Sequence, residues 1–138
     1  VVEASKDNPV FYVQYAHARI CSLQRKAAEV GVSIDLPADL DLLDAEELAL
    51  VKTAAQYPRV VESAAMAHEP HRIAFYLYDL AAGFHALWNR GNDDPARRFL
   101  IENNPQLSRA RLELARGIGQ IIRNGLQIMG VEAVEEMR

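Results

Sequence analysis

The stretch HRIAFYLYDLAAGFHALWNRG, residues 71–91, decides the fold. Its apolar side chains recur with gaps of four, three, four and three positions, which is the period of one face of an α-helix. Pro70 precedes the run, and Asn89–Gly91 is a typical helix end. The pattern predicts a long helix with one buried face, formed by Ile73, Leu77, Leu80, Phe84 and Leu87.

The same period appears towards both ends of the chain. Asn8-Pro9 combines a capping side chain with a proline at the first helical position, so a helix is predicted to begin there. It runs to about Val30, with Gly31 as its end and an inward face of Val13, Ala16, Ile20, Leu23, Ala27 and Val30. The final helix is predicted from Ser108 to Met129, ending at Gly130, with Leu114, Ile118, Ile121, Gly125 and Ile128 inward. Gly125 favours close packing of two helices rather than a turn.

Two shorter helices are predicted between these segments. Asp44 followed by Glu47 is a relative of the capping box, so a helix is expected to begin there and to end at Tyr57-Pro58. Its inward residues are expected to be Leu48, Val51 and Ala55. The next helix is predicted over residues 58–67, with Val61, Ala64 and Ala65 inward. Residues 32–43 and 92–107 are expected to be connections, the second with one possible turn of helix.

The pattern as a whole predicts the fold class. No segment alternates as a strand does, so the fold is expected to be all-α: a single helical bundle of about five helices, with residues 1–138 as one domain. The sequence begins at Val1 without an initiator methionine, and we expect it to be a fragment of a longer protein.

Composition excludes several classes of protein. Of the 138 residues, 50% are hydrophobic and 25% are charged, as in an ordinary globular domain. No apolar run approaches the ~20 residues that span a membrane. The single cysteine, Cys21, excludes a disulfide framework and suits the reducing cytoplasm, where we expect the protein to work.

Motifs of catalysis are missing from the sequence. No glycine-rich phosphate loop, nucleophile elbow or metalloprotease histidine pair is present, so no catalytic residue is predicted. His68 and His71 lie on either side of Glu69, but Pro70 interrupts the helix between them. We expect two surface histidines and no metal site, while a helical metal or cofactor enzyme stays open as an alternative.

The formal net charge of −4 is unevenly distributed. Residues 32–70 hold eight acidic and two basic side chains, a net charge of −6, whereas residues 71–130 hold eight arginines and five acids, a net charge of +3. Arg109, Arg116 and Arg123 are spaced seven apart, so they are expected to form a stripe along the last helix beside Gln120 and Gln127. Such a stripe could bind phosphates; the alternative is a solvated helix face on which Glu113 is a salt-bridge partner.

Aromatic and polar side chains mark a second candidate surface. Tyr15, His17 and Arg19 lie in YAHAR on the first helix, and Tyr78, His85 and Trp88 lie on the fourth. Phe84 belongs to the buried face and is expected in the core. Tyr78 and Trp88 lie at the margins of that face, where a ring can stack on an unpaired base. The alternative is that these rings are ordinary core residues.

Three blocks of sequence resemble the C-terminal helical domain of arginyl-tRNA synthetases. They are NPVFYVQYAHARICSLQRK (residues 8–26), HEPHRIAFYLYDLAAGFHALWN (68–89) and RNGLQIMGVEAVEEM (123–137), and their order and separation also match. The resemblance implies an all-α module of the DALR type that holds the anticodon stem-loop of tRNA-Arg.

The resemblance also assigns positions. Tyr15, His17 and Arg19 fall on the Y-A-H-A-R block, which the resemblance places near the junction with the catalytic domain and the tRNA side; a structural role for the block is the open alternative. Trp88 falls where an F-H-x-x-Y pattern usually has tyrosine. Asn124 matches the N-G of the last helix, and Met137 matches a near-terminal methionine. The ending departs from the family, because Glu135-Glu136 stand where Pro-Glu-Arg is common and Arg138 follows Met137.

The function implied is recognition of tRNA by one part of an arginine–tRNA ligase. ATP and Mg are expected to serve the catalytic domain of the same parent chain, whose HIGH-like and KMSKS-like motifs do not occur here, so the fragment is expected to be inactive alone and to bind no cofactor. Expected partners are tRNA-Arg and that catalytic domain, with the protein a monomer and no membrane involved. The alternative is a helical protein–protein docking module that does not bind RNA. The tRNA-binding residues expected are Tyr15, His17, Arg19, Tyr78, His85, Trp88, Arg109, Arg116, Arg123, Asn124 and Met137.

Overall fold

Five α-helices account for most of the computed structural model, which describes residues 8–137. Residues 1–7 of the predicted domain and Arg138 lie outside this range. The helices are α1 (Pro9–Glu29), α2 (Ala45–Ala55), α3 (Tyr57–Ala67), α4 (His71–Asp93) and α5 (Pro105–Ile128). Short 3-10 turns occur at Leu40–Leu42 and Pro95–Arg97, and no strand occurs within residues 8–137. The prediction of an all-α bundle of about five helices is confirmed.

The centre of the bundle is formed by α1, α4 and α5, which pack against one another, while α2 and α3 lie against α4. All five apolar residues predicted for the buried face of α4 are buried: Ile73, Leu77, Leu80, Phe84 and Leu87. Helix α4 runs on to Asp93, so the predicted end at Asn89–Gly91 is wrong. Gly91 is instead buried where Arg98 crosses it, and a Cβ at this position would lie 3.1 Å from the Arg98 Cα.

Two glycines near the ends of the long helices have the roles expected of them. Gly31 and Gly130 have φ angles of +84° and +73°, which let the chain turn immediately after α1 and α5. Val30 lies outside α1 and is exposed, so its predicted burial is wrong. The α1 face that ends at Ala27 is otherwise buried as predicted.

The predicted inward face of α2 is wrong at two of its three positions, while Val51 is partly buried against the core as predicted. Leu48 and Ala55 are exposed, and Glu47 and Leu50 are buried instead. The reason is a buried ion pair: Glu47 Oε2 lies 2.7 Å from Nε of Arg111 on α5. Glu47 also completes the capping box with Asp44, as the sequence predicted. Its buried carboxylate therefore accepts a hydrogen bond from the Asp44 backbone amide at the start of α2.

Ala65, Ile128 and the start of α5 also differ from the sequence prediction. Ala65 of α3 is exposed next to the buried Ala64, and Ile128 is 52% exposed because it is the last residue of α5. Helix α5 begins at Pro105, capped by Asn104, rather than at Ser108. None of the helices in residues 8–137 is long and apolar enough to cross a membrane.

Candidate nucleic-acid interface

A half-open pocket of about 350 Å³ lies where α1 and α4 run side by side. We call it the aromatic pocket; it is lined by Phe11, Tyr12, Tyr15, Arg19, His85 and Asn89. The α1 residues that line it recur at intervals of three and four, so the helical period places them on one flank of α1. Because α1 and α4 pack against each other through their apolar faces, this flank meets the flank of α4 that carries His85 and Asn89.

Arg19 lies at the centre of the pocket wall. Its Cζ is 4.7 Å from the centroid of the Tyr15 ring and 4.8 Å from that of the Trp88 ring. One guanidinium nitrogen donates to the Tyr15 hydroxyl at 2.9 Å, and another donates to Nδ1 of His85 at 3.1 Å. Two cation–π contacts and two hydrogen bonds hold the guanidinium in one orientation, so it presents a fixed positive charge between two rings.

His85 is neutral because of where it lies. Burial and the neighbouring positive charge of Arg19 lower its pKa to about 4. Since Nδ1 accepts from Arg19, the proton is on Nε2, which points at the Tyr12 carbonyl oxygen 3.5 Å away. Burial and the nearby Tyr78 raise the pKa of Tyr12, so its phenol also stays neutral. Among the lining residues within the described range 8–137, Arg19 alone is therefore charged at neutral pH.

Trp88 packs partly into the core and also contacts Arg19. Its ring is half-buried and packs beside Phe99 and Phe84, with centroid distances of 6.0 Å and 6.3 Å. Phe84 itself is fully buried, as predicted. Trp88 itself does not line the pocket but contacts Arg19, which does. Tyr78 is 41% exposed and its ring centroid is 5.0 Å from that of Tyr12, so it extends the aromatic surface along α4.

His17 does not join this pocket. It lies two positions before Arg19, which turns its side chain about 200° around the helix axis. Its Nδ1 donates to the Val134 carbonyl oxygen at 2.7 Å, and Gln14 donates to the Glu132 carbonyl oxygen at 2.9 Å. The buried His17 therefore fixes the segment 131–137 along the opposite flank of α1.

The predicted stripe of three exposed arginines is wrong at its first member. Arg109 is buried, and it donates to the carbonyl oxygens of Leu36 at 2.8 Å and Ile34 at 2.7 Å. Its guanidinium also lies 2.9 Å from Glu113. The spacing does place Arg109 on the same side of α5 as the other two, but the connection after α1 covers this end of the helix.

The other candidates on α5 stay at the surface, each with a partner. Arg116 is half-buried and donates to Glu113 at 3.1 Å, while the exposed Arg123 lies 3.4 Å from Glu135. Asn124 accepts a hydrogen bond from the Tyr57 hydroxyl. Met137 is half-buried at the end of segment 131–137. Glu135, which departs from the family ending, thus neutralises one arginine of the predicted stripe.

The candidate residues therefore separate into two groups and one exception. Tyr15, Arg19, Tyr78, His85 and Trp88 come together around the aromatic pocket. Arg116, Arg123, Asn124 and Met137 lie along α5 or segment 131–137, and His17 of α1 faces that segment. Arg109 is internal. The sequence interpretation missed Phe11, Tyr12 and Asn89; the first two precede Tyr15 by four and three residues, which is the helical signal that could have found them.

His68 and His71 are exposed at the junction between α3 and α4. His68 ends α3 in a left-handed conformation, with φ +55°, and His71 Nε2 lies 3.9 Å from Glu69. Within residues 8–137, no group of three or more histidine, cysteine or carboxylate side chains is arranged to hold a metal ion.

Comparison with known proteins identifies the domain. The DALR anticodon binding domain family matches residues 13–137. The chain is 61% identical over 137 residues to an arginine–tRNA ligase of Novosphingobium aromaticivorans, which covers 99% of this chain and 23% of that protein. It is 56% identical over 146 residues to one of Rhodospirillum rubrum, covering 100% and 25%. The arginyl-tRNA synthetase of Thermus thermophilus has the same fold, with a TM-score of 0.80 and 36% identity over 91% of this chain and 21% of that one.

The chain thus spans about a quarter of the length of the relatives that it matches. Family match, sequence identity and fold agree with the three sequence blocks, and that resemblance is confirmed. The chain belongs to the DALR anticodon-binding domain family.

Proposed function

We propose that this domain binds the anticodon stem-loop of tRNA-Arg as part of an arginine–tRNA ligase. Binding of the loop would place the distant acceptor end of the tRNA in the active site of the parent enzyme. ATP and Mg²⁺ belong, in this proposal, to the catalytic domain and not to these residues. The parent is a cytoplasmic monomer whose single cysteine within this domain needs no oxidising compartment.

The aromatic pocket is the observation that carries the proposal. RNA is recognised in a sequence-dependent manner mainly through unstacked bases, which stack on aromatic rings or guanidinium planes and form hydrogen bonds along their edges. The pocket offers all of these elements in Tyr15, Arg19 and the exposed amide of Asn89. Its volume of about 350 Å³ is large enough to admit a base.

Electrostatics support the same assignment. The fixed charge of Arg19 in a wall of otherwise neutral groups can pair with a phosphate or with the acceptor edge of a base. The aromatic pocket therefore favours this function over the alternative of a docking module that does not bind RNA.

The test is a titration of the domain with tRNA-Arg and with an unrelated tRNA at two salt concentrations. We expect preference for tRNA-Arg and weaker binding of both at the higher salt concentration. Arg19→Lys keeps the charge but cannot stack and donate to His85 and Tyr15 together, so we expect roughly tenfold weaker binding of tRNA-Arg. Arg25→Lys, an exposed position on the same helix, is the matched control and should bind as the wild type does. Equal affinity for the two tRNAs would contradict the proposal.

A further inference from the structure

A second surface of the domain has a chemistry opposite to that of an RNA site. In segment 34–42, which has the sequence IDLPADLDL, large aliphatic side chains alternate with aspartates. Four of the aliphatic residues are substantially exposed: Ile34 at 51%, Leu36 at 56%, Leu40 at 40% and Leu42 at 42%. Leu48, at the start of α2, adds a fifth at 39%. A concentration of exposed aliphatic side chains in one short segment is typical of an interaction surface.

The segment is also strongly acidic. No lysine or arginine occurs between Lys26 and Lys52, whereas this interval contains seven acids. Asp44, Glu46 and Glu47 in it form ion pairs with Arg90. Asp35, Asp39 and Asp41 form no ion pair with any residue in the range 8–137 that the structure describes, so the aliphatic side chains stand among uncompensated negative charges.

The exposure of these side chains is fixed by contacts beneath them. Arg109 of α5 is buried under the segment and binds the backbone carbonyls of Ile34 and Leu36. At the other end, Asp39 accepts from the Asp41 amide to cap the 3-10 turn, and Leu43 is buried in the core. A surface that is held in shape before binding loses little conformational entropy when a partner arrives.

The charge decides which partner fits. RNA is disfavoured because its phosphates would be repelled by the three aspartates. A second copy of this chain, bound symmetrically through the same surface, would bring like charges together. We propose that segment 34–42 is a docking surface for a separate protein that presents lysine or arginine side chains interleaved with aliphatic ones. This inference does not depend on tRNA binding.

The experiment is a titration of the ¹⁵N-labelled domain with a synthetic amphipathic helix of lysine and leucine, followed by amide chemical shifts. We expect the shifts to concentrate in residues 32–44 and at Arg109. Ile34→Ser/Leu36→Ser should weaken binding about tenfold or more, because the aliphatic contacts are lost. Asp35→Asn/Asp41→Asn should weaken it most at low salt.

Matched controls separate this surface from general attraction between a cationic peptide and an acidic protein. Phe75→Ser removes an exposed ring from α4, and Glu62→Gln removes a charge from α3; neither should change the affinity. Polylysine, which lacks aliphatic side chains, should bind more weakly than the amphipathic helix. The proposal is overturned if the peptide does not bind, if its shifts spread over the whole surface, or if the segment variants bind as tightly as the controls.

Discussion

At the scale of single residues, the domain uses burial to keep one ring uncharged next to a cation. His85 is 6% exposed, and its Nδ1 accepts a hydrogen bond from Arg19. Burial disfavours the charged imidazole, and the Arg19 guanidinium would also repel it, so the pKa falls to about 4 from an ordinary value of 6.5. The neutral ring thereby fixes the orientation of Arg19 at the wall of the aromatic pocket.

This pKa predicts how stability depends on pH. Between pH 6.5 and about 4, the unfolded chain binds a proton at His85 that the folded protein does not bind, so the free energy of unfolding falls as the pH falls through this window. The loss attributable to His85 is about 3 kcal/mol at most. His85→Gln, which can still accept from Arg19, should lose less stability over the same window. Urea denaturation at pH 7, 5.5 and 4.5 measures the difference; identical pH dependence in both proteins would refute the assignment.

At the scale of secondary-structure elements, α2 is joined to α5 by a buried charge. The Glu47 carboxylate is 1% exposed and is satisfied by Arg111, with Arg90 3.4 Å away. Arg111 also donates to the carbonyl oxygens of Ala96 and Arg98, each within 2.8 Å, so one guanidinium fastens α2 and the connection between α4 and α5 to the same point.

Removing one member of this pair should therefore be costly. Glu47→Gln leaves the Arg111 charge buried without an anion, and we expect a loss of about 3–5 kcal/mol in the free energy of unfolding. The double variant Glu47→Leu/Arg111→Met removes both charges and should recover part of that loss. Chemical denaturation of the three proteins checks this, and a double variant less stable than Glu47→Gln would contradict it. Arg72→Ala, which breaks an exposed pair with Glu69, is the control and should change stability little.

Two glycines of α5 provide a matched test of helix packing. A Cβ on Gly125 would lie 2.7 Å from Cδ1 of Leu77, which is fully buried on α4, so Gly125→Ala should cost about 1–3 kcal/mol. A Cβ on Gly117 would meet no atom within 4 Å, so Gly117→Ala should instead stabilise the helix by about 0.5–1 kcal/mol. Opposite shifts in melting temperature are expected. An unchanged melting temperature for Gly125→Ala would mean that α4 and α5 can move apart at little cost.

The same elements show which features a sequence can predict. The face of α4 follows from its period alone, because every member meets the core. The burial of Arg109 does not, because it depends on a connection 73 to 75 residues earlier in the chain. The face of α2 was predicted from hydrophobicity, which cannot anticipate that a glutamate will point inwards to meet Arg111. For the aromatic pocket, the residue types and spacing predicted Tyr15, Arg19, His85 and Trp88 together, but not the opposite direction of His17.

At the scale of the whole molecule, charge of opposite sign is separated in space. The aromatic pocket carries the charge of Arg19 on one flank of α1, and the aspartates of segment 34–42 follow the other end of that helix. At low salt, where charges are weakly screened, the aspartates of segment 34–42 act over a long range. They therefore reduce the attraction of the whole domain for a polyanion such as RNA.

Neutralising the aspartates of segment 34–42 should therefore strengthen RNA binding at low salt. Asp35→Asn/Asp39→Asn/Asp41→Asn is expected to raise the affinity for tRNA-Arg a few-fold at low ionic strength and to have little effect at physiological ionic strength, where the Debye length is about 8 Å. Asparagine retains the capping role of Asp39, so the fold should be unchanged. Filter binding at both salt concentrations measures the effect; an increase that persists at the higher concentration would mean that the aspartates touch the RNA.

The attachment of segment 131–137 to α1 has a consequence for biosynthesis. Gln14 and His17 bind carbonyl groups that lie 118 and 117 positions later in the chain. While the ribosome is still making the intervening helices, segment 131–137 does not yet cover this flank of α1. His17 then lacks the Val134 carbonyl group that accepts its hydrogen bond in the folded domain. The first helix of the domain can reach its final surroundings only when almost the whole domain has left the exit tunnel, so until then its unfinished flank is exposed to chaperones and proteases.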